Sequence, residues 1–127
     1  MFVVLQEAHE VSELTGGSFD VTVAPLLGLW GHESGGAGAP GQTSFQAPTS
    51  GQLEQARKSV GHAKLELRNV PRMAVRKSAS GMRLTVDGIA PGYAVDRIAT
   101  ELRALGHANF IVEIGGEVRA AGQRPEG

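Results

Sequence analysis

Apolar and polar positions follow two different periods along this chain. Between residues 2 and 14, Val4, Ala8, Val11 and Leu14 recur at helical spacing, with Glu7, Glu10 and Glu13 elsewhere. That pattern predicts an amphipathic helix. Gly16 and Gly17 end it, since glycine accepts the left-handed backbone that closes a helix. A short extended piece is expected over Phe19 to Val23, and Pro25 suits the start of a short helix, Leu26 to Trp30. Thr49 and Gln52 have the spacing of a capping box ahead of a helix over residues 51–60. Three strand-like runs follow, Ala63 to Leu67, Arg72 to Arg76 and Met82 to Val86, and they predict an antiparallel meander. Helical spacing returns over residues 92–105, with Ala94, Ile98, Leu102 and Leu105 on one face and Gly106 as the stop. Phe110 to Ile114 and Glu117 to Ala121 read as strands joined by a hairpin at Gly115-Gly116. The fold class is therefore α+β, a mostly antiparallel sheet with packed helices.

Composition narrows the function classes. The 127 residues are 41% hydrophobic, enough for a core and sized for a single domain. Residues 31–48 are rich in Gly, Ala, Ser and Pro and predict a long flexible surface loop. Twelve Lys and Arg stand against 13 Asp and Glu, a formal net charge of -1, which argues against a basic nucleic-acid surface. No apolar run approaches the roughly 18 residues that a membrane span needs. There is no cysteine, so disulfides, thiolate zinc sites and cysteine nucleophiles are excluded. Met1 to Leu5 has no basic stretch before it and turns polar at Gln6, unlike a signal peptide. It reads as the middle of a helix, and the last residues read as a turn after a strand. Both ends are therefore expected to be cut within a longer protein.

Candidate chemistry gathers in two segments. In Gly88-Ile89-Ala90-Pro91-Gly92-Tyr93-Ala94-Val95-Asp96-Arg97, an apolar run feeds through small residues into a helix start. Free N–H groups and the helix dipole there suit a phosphate. Thr15-Gly16-Gly17-Ser18-Phe19-Asp20-Val21-Thr22 has the same character. Its glycines let the backbone approach a ligand, and Asp20 can accept hydrogen bonds from a ribose or adenine. Local physics favours a plainer reading, a helix cap followed by a buried strand, since glycine caps are common. Asp87-Gly88 suits a hard cation such as Mg2+, which prefers oxygen ligands, or else a type I′ hairpin turn. Asp96 and Arg97 in the first helical turn read as structural, and Glu113 and Glu117 as outward strand residues. His9, His32, His62 and His107 share no metal-type spacing and read as solvated surface residues. Trp30 reads as a core or loop anchor.

Thr15 to Leu26, followed by Leu29-Trp30-Gly31, resembles a block of the ApbE-type FAD:protein FMN transferases. Asp87 to Asp96 is similar to a second block of that family, and Val112 to Arg119 to a third, in family order. The resemblance implies an ApbE-like fold, here without the family's N-terminal and C-terminal parts. It implies Mg2+-dependent transfer of the FMN half of FAD to a threonine of a partner flavoprotein, with release of AMP. Ser18, Phe19 and Asp20 inherit FAD contact, and Gly88 inherits a backbone carbonyl that holds the metal. Thr85 aligns with the second block's leading aspartate, Asp87 lies two residues later, and Pro91 replaces its lysine. These three join the candidate FAD contacts. The resemblance places the family's catalytic histidine, and an aspartate and a threonine that complete its metal site, beyond this chain. A FAD-binding or FAD-hydrolysing module without protein flavinylation is the alternative. Family members are often exported lipoproteins, so a periplasmic or membrane-anchored full-length protein is expected.

Overall fold

The elements follow local signals at their ends and tertiary contacts in their interiors. A computed structural model of the chain describes residues 1–32 and 46–123. Most of the glycine-rich stretch expected as a flexible loop over 31–48 lies outside the described residues. Contacts divide the chain into two compact units, Met1–Val86 and Asp87–Gly127.

In the first unit, helix α1 spans Phe2–Leu14. It buries Val4, Leu5, Ala8 and Ser12, so the inward stripe is rotated from the expected one, and Leu14 is 86% exposed. Ser12 tolerates burial because its hydroxyl donates to the Ala8 carbonyl at 2.8 Å. The extended piece expected over Phe19 to Val23 is extended only at Asp20. A 3-10 turn, Val21–Val23, follows it. Helix α2, Ala24–Leu29, carries Pro25 in its first turn. Helix α3, Ser50–Arg57, has a complete capping box. Thr49 N–H donates to Gln52 Oε1 at 2.8 Å, and Gln52 N–H to Thr49 Oγ1 at 3.3 Å.

Strands β1, Leu65–Arg68, and β2, Ala74–Lys77, pair antiparallel with Leu65 opposite Lys77. The expected meander stops there. Met82 to Val86 is not a strand. Met82 is buried and Arg83 exposed, but Leu84, Thr85 and Val86 are all half-buried, and the backbone bonds elsewhere. Thr85 N–H donates to the Val21 carbonyl at 2.8 Å, and Lys77 Nζ to the Met82 carbonyl at 3.1 Å. Alternating apolar and polar residues favour an extended strand but do not by themselves supply a ladder partner. Val4, Leu5, Ala8, Val21, Leu65 and Met82 form the core of this unit. Burying a leucine or methionine side chain contributes on the order of 2 kcal/mol.

The second unit is one helix on one hairpin. Helix α4 spans Ala90–Ala104, starting earlier than expected. Its buried residues are Val95 and Ala99, while Ile98 and Leu105, expected inside, are 41% and 74% exposed. Strands β3, Phe110–Ile114, and β4, Glu117–Ala121, pair antiparallel with Ile114 opposite Glu117. Gly115 and Gly116 make the two-residue turn, at φ 60° and 95°, the left-handed conformation such hairpins need. Gly116 N–H donates to Glu113 Oε1 at 2.9 Å. The Arg103 guanidinium lies 5.4 Å over the Phe110 ring, and Asp96 pairs with Arg119 at 3.2 Å, so helix and hairpin are linked at both strands.

Candidate functional site

Asp20 is the most highly constrained of the predicted site residues. Its side chain is 8% exposed, and a buried carboxylate needs donors around it. Three hydrogen bonds serve it. Oδ1 accepts from Thr22 N–H at 2.8 Å and from the Thr22 hydroxyl at 2.7 Å. Oδ2 accepts from His62 N–H at 2.8 Å. The Thr22 hydroxyl oxygen in turn accepts from Gly61 N–H at 2.7 Å. The Asp-x-Thr spacing explains the local half of this network: Asp20 is extended and caps the 3-10 turn, a role that short acidic side chains favour. The other half comes from a turn about forty residues further on.

The block before Asp20 is pinned as well. Gly16 and Gly17 are left-handed, at φ 59° and 82°, and close α1 as glycine caps do. The amides of this block, proposed from sequence as open phosphate donors, are already used. Gly16 N–H bonds to Glu13 O, Gly17 N–H to Ser12 O at 2.7 Å, and Ser18 N–H to Thr15 O. Phe19 N–H donates to Thr15 Oγ1 at 3.1 Å. The helix-cap reading of Thr15 to Thr22 therefore holds for the backbone. What the block presents outward is the exposed Ser18 and half-buried Phe19. Thr85 joins this neighbourhood through its bond to Val21. Ser18, Phe19, Asp20 and Thr85 thus belong to one packed region.

Two of the four histidines are half-buried rather than solvated surface residues. His9 and His62 have side chains 28% and 25% exposed, and their rings meet edge to face with centroids 5.9 Å apart. His9 Nε2 lies 3.5 Å from Glu13, and His62 Nδ1 lies 3.9 Å from Asp20 Oδ2. The His62 ring packs over Gly17, where an added Cβ would meet it at 3.5 Å. Both histidines line a cleft of about 450 Å³ with Glu13, Leu65, Glu66 and Arg68. In the sequence His62 follows a turn glycine and His9 lies on a helix among glutamates, and the burial of either depends on what packs over it. Trp30, at the end of α2, is 45% exposed and is no core anchor.

Asp87, Gly88 and Pro91 fall in the second unit. Asp87–Ile89 form a turn running directly into α4. No strand follows, so the hairpin alternative at Asp87-Gly88 is excluded. Pro91 sits in the first turn of α4, where its missing N–H removes one donor from the helix start. Asp96 lies in the second turn rather than the first. Its pairing with Arg119 is between half-exposed groups and is structural. The turn's oxygens are of the type that Mg2+ takes, since that ion is commonly held by one or two protein oxygens together with phosphates and water. They fit a share of its coordination shell. Among the described residues, no three His, Asp or Glu side chains form a metal-holding group.

Comparison with known proteins decides the family. The ApbE family pattern matches residues 1–127, the whole chain. The chain belongs to the ApbE family. It is 36% identical over 125 residues to the FAD:protein FMN transferase of Haemophilus influenzae and 33% identical to that of Vibrio cholerae. Each alignment covers 98% of this chain and 34% of the relative. Among solved structures, the flavin transferase ApbE from Vibrio cholerae superimposes with a TM-score of 0.81 at 33% identity. That alignment covers 96% of this chain and 37% of the other. The apo flavinyl transferase ApbE of Pseudomonas stutzeri gives 0.79 at 31% identity, over 96% of this chain and 35% of the other. The chain therefore spans about a third of the length of the ApbE relatives it matches, and the α+β fold is the one they share over that part. Sequence reasoning missed Gly61, Thr22 and His62. Only the Asp-x-Thr spacing signalled Thr22; Gly61 marks a turn before His62, but nothing in the sequence pairs that turn with Asp20.

Proposed function

We propose that the full-length ApbE protein containing this chain transfers the FMN half of FAD to a threonine of a partner flavoprotein. Bond by bond, the threonine oxygen attacks the FMN phosphorus, and the bond from that phosphorus to the bridging oxygen breaks. AMP leaves with that oxygen, and the hydroxyl proton passes to a base. A threonine hydroxyl is a weak nucleophile and requires such a base; the family resemblance places it outside this chain. Ser18, Phe19 and Asp20 belong to the FAD-contacting block, with Thr85 bonded beside it, and Asp87 and Pro91 are further candidate contacts. The Gly88 carbonyl is a candidate Mg2+ ligand, and the ion when bound would neutralise charge on the pyrophosphate oxygens. The α4 start adds N–H groups and the positive end of the helix dipole.

The observation that carries this reading is the match of the whole chain to the ApbE family, with its three blocks in order. The test is incubation of the full-length protein with FAD, Mg2+ and a threonine-bearing target. The expected outcome is a target gaining one FMN phosphoester while AMP accumulates in equal amount. Pro91 in place of the family lysine favours a second reading, FAD binding or hydrolysis without protein modification. Free FMN and AMP with an unmodified target would select it. The 127-residue chain alone is expected to bind flavin weakly at best and to transfer none; flavinylation of a target by that piece would overturn this.

A further inference from the structure

We propose that the Gly61–His62 turn positions the flavin-contacting block, acting through Thr22 and Asp20, so that Thr22 is a positioning residue for FAD rather than a contact. The inference rests on the transferase reading above. It assigns Asp20 a task that both its oxygens already perform. Asp20 Oδ1 is taken by Thr22 and Oδ2 by His62 N–H, and the Thr22 hydroxyl is itself taken by Gly61 N–H at 2.7 Å. Thr22 is fully buried, at 0% exposure, so it reaches a ligand only through its neighbours.

The consequence falls on Ser18 and Phe19. On their N-terminal side the α1 cap holds them, through Gly17 N–H on Ser12 O and Phe19 N–H on Thr15 Oγ1. On their C-terminal side the only residue before the latch is Asp20 itself. Two residues clamped at both ends present their outward groups in one geometry. Groups held within a few tenths of an ångström bind without a further ordering cost. Thr85 N–H on Val21 O adds a third attachment just beyond the latch. The Thr22 hydroxyl is the shared atom, because it donates to Asp20 and accepts from Gly61 at once.

The test uses the full-length protein with FAD as the probe. Thr22→Val keeps the shape and removes the hydroxyl; Thr22→Ser restores it. His62→Pro deletes one latch N–H at the first position of a 3-10 turn, which proline tolerates, whereas His62→Ala keeps that N–H. Dissociation constants for FAD are measured by flavin fluorescence well below each variant's melting temperature. Hydrogen exchange of the Ser18 and Phe19 amides is followed without FAD. The expected result is at least about tenfold weaker FAD binding and tenfold faster exchange for Thr22→Val and His62→Pro, since each loses one charge-assisted bond to Asp20 and Thr22→Val also loses the bond from Gly61 N–H. Thr22→Ser should restore both readouts to within about twofold. FAD affinity within twofold of wild type for both Thr22→Val and His62→Pro overturns the proposal. If Thr22→Val does not fold, the contrast between His62→Pro and His62→Ala decides alone. A wild-type protein that binds no FAD removes the transferase reading, and the exchange measurement still decides whether the latch holds the block.

Discussion

The Asp20 carboxylate accepts the main-chain N–H of His62 at 2.8 Å, across 42 positions of sequence. One oxygen of a buried acid thereby joins the end of an α1-capping loop to a turn between α3 and β1. The same carboxylate caps its own 3-10 turn through Thr22. Local and distant bonds on one side chain make this acid a structural junction as well as a candidate flavin residue.

Replacing that acid by its amide tests the junction. In Asp20→Asn one side-chain atom remains an acceptor and the other becomes a donor. Whichever way the amide turns, an N–H of Thr22 or His62 faces another donor. Leaving a buried donor unsatisfied costs about 1–3 kcal/mol. The urea midpoint should fall accordingly at unchanged slope; an unchanged midpoint would mean that the amide finds partners of its own.

Two glycines should respond in opposite directions. Gly122 has φ 83°, and a Cβ there would meet the Asn109 side chain and lie 2.5 Å from the Ala108 carbonyl oxygen. The clash is with backbone and with Asn109, which already holds Gln123 N–H at 2.9 Å. Gly122→Ala should cost about 2 kcal/mol or more from left-handed strain and contact combined. Gly51, inside α3 with open space around its would-be Cβ, should gain up to about 0.5–1 kcal/mol as alanine. Thermal melts of the two variants check both signs.

The Asp96–Arg119 pair joins α4 to β4 at 3.2 Å, but its side chains are 60% and 49% exposed. Solvent screening at such sites leaves less than about 1 kcal/mol of coupling. A double-mutant cycle of Asp96→Asn and Arg119→Gln should report a value in that range that shrinks further in 1 M salt, roughly the concentration at which screening acts within a few ångströms. A large, salt-independent coupling would contradict this.

Pro91→Lys restores the cation of the family block and adds a backbone N–H to the α4 start. On the transferase reading both changes favour a diphosphate. FAD should bind about 3–10-fold tighter, with the gain lost at high salt as expected of an exposed charge. Equal or weaker affinity at low salt would place Pro91 away from the phosphates.

Much of the local structure was legible in the residues. The capping box at Thr49 and Gln52, the glycine cap of α1, the proline start of α2 and the Gly115-Gly116 hairpin depend on atoms within about four positions of each other. Their sequence signals are therefore complete in themselves. The ApbE blocks were legible for the same reason, since each is a short string of specific residue types.

What needed the tertiary structure was every property set by a partner far along the chain. Met82 to Val86 alternates like a strand, yet Val21 takes the Thr85 N–H and no ladder forms beside β2. His9 and His62 look like turn and surface residues until their rings meet at 5.9 Å. The helical face of α4 predicts Ile98 and Leu105 inside, whereas Val95 and Ala99 are the residues buried. By itself the sequence determined where the four α-helices lie to within about three residues, which chemistry cysteine could not supply, and the family. The tertiary structure alone decided that Asp20 Oδ2 and the Thr22 hydroxyl are tied to the Gly61–His62 turn, about forty residues away. A hydrogen bond is short and directional, so which donors reach a buried oxygen depends on how distant segments pack.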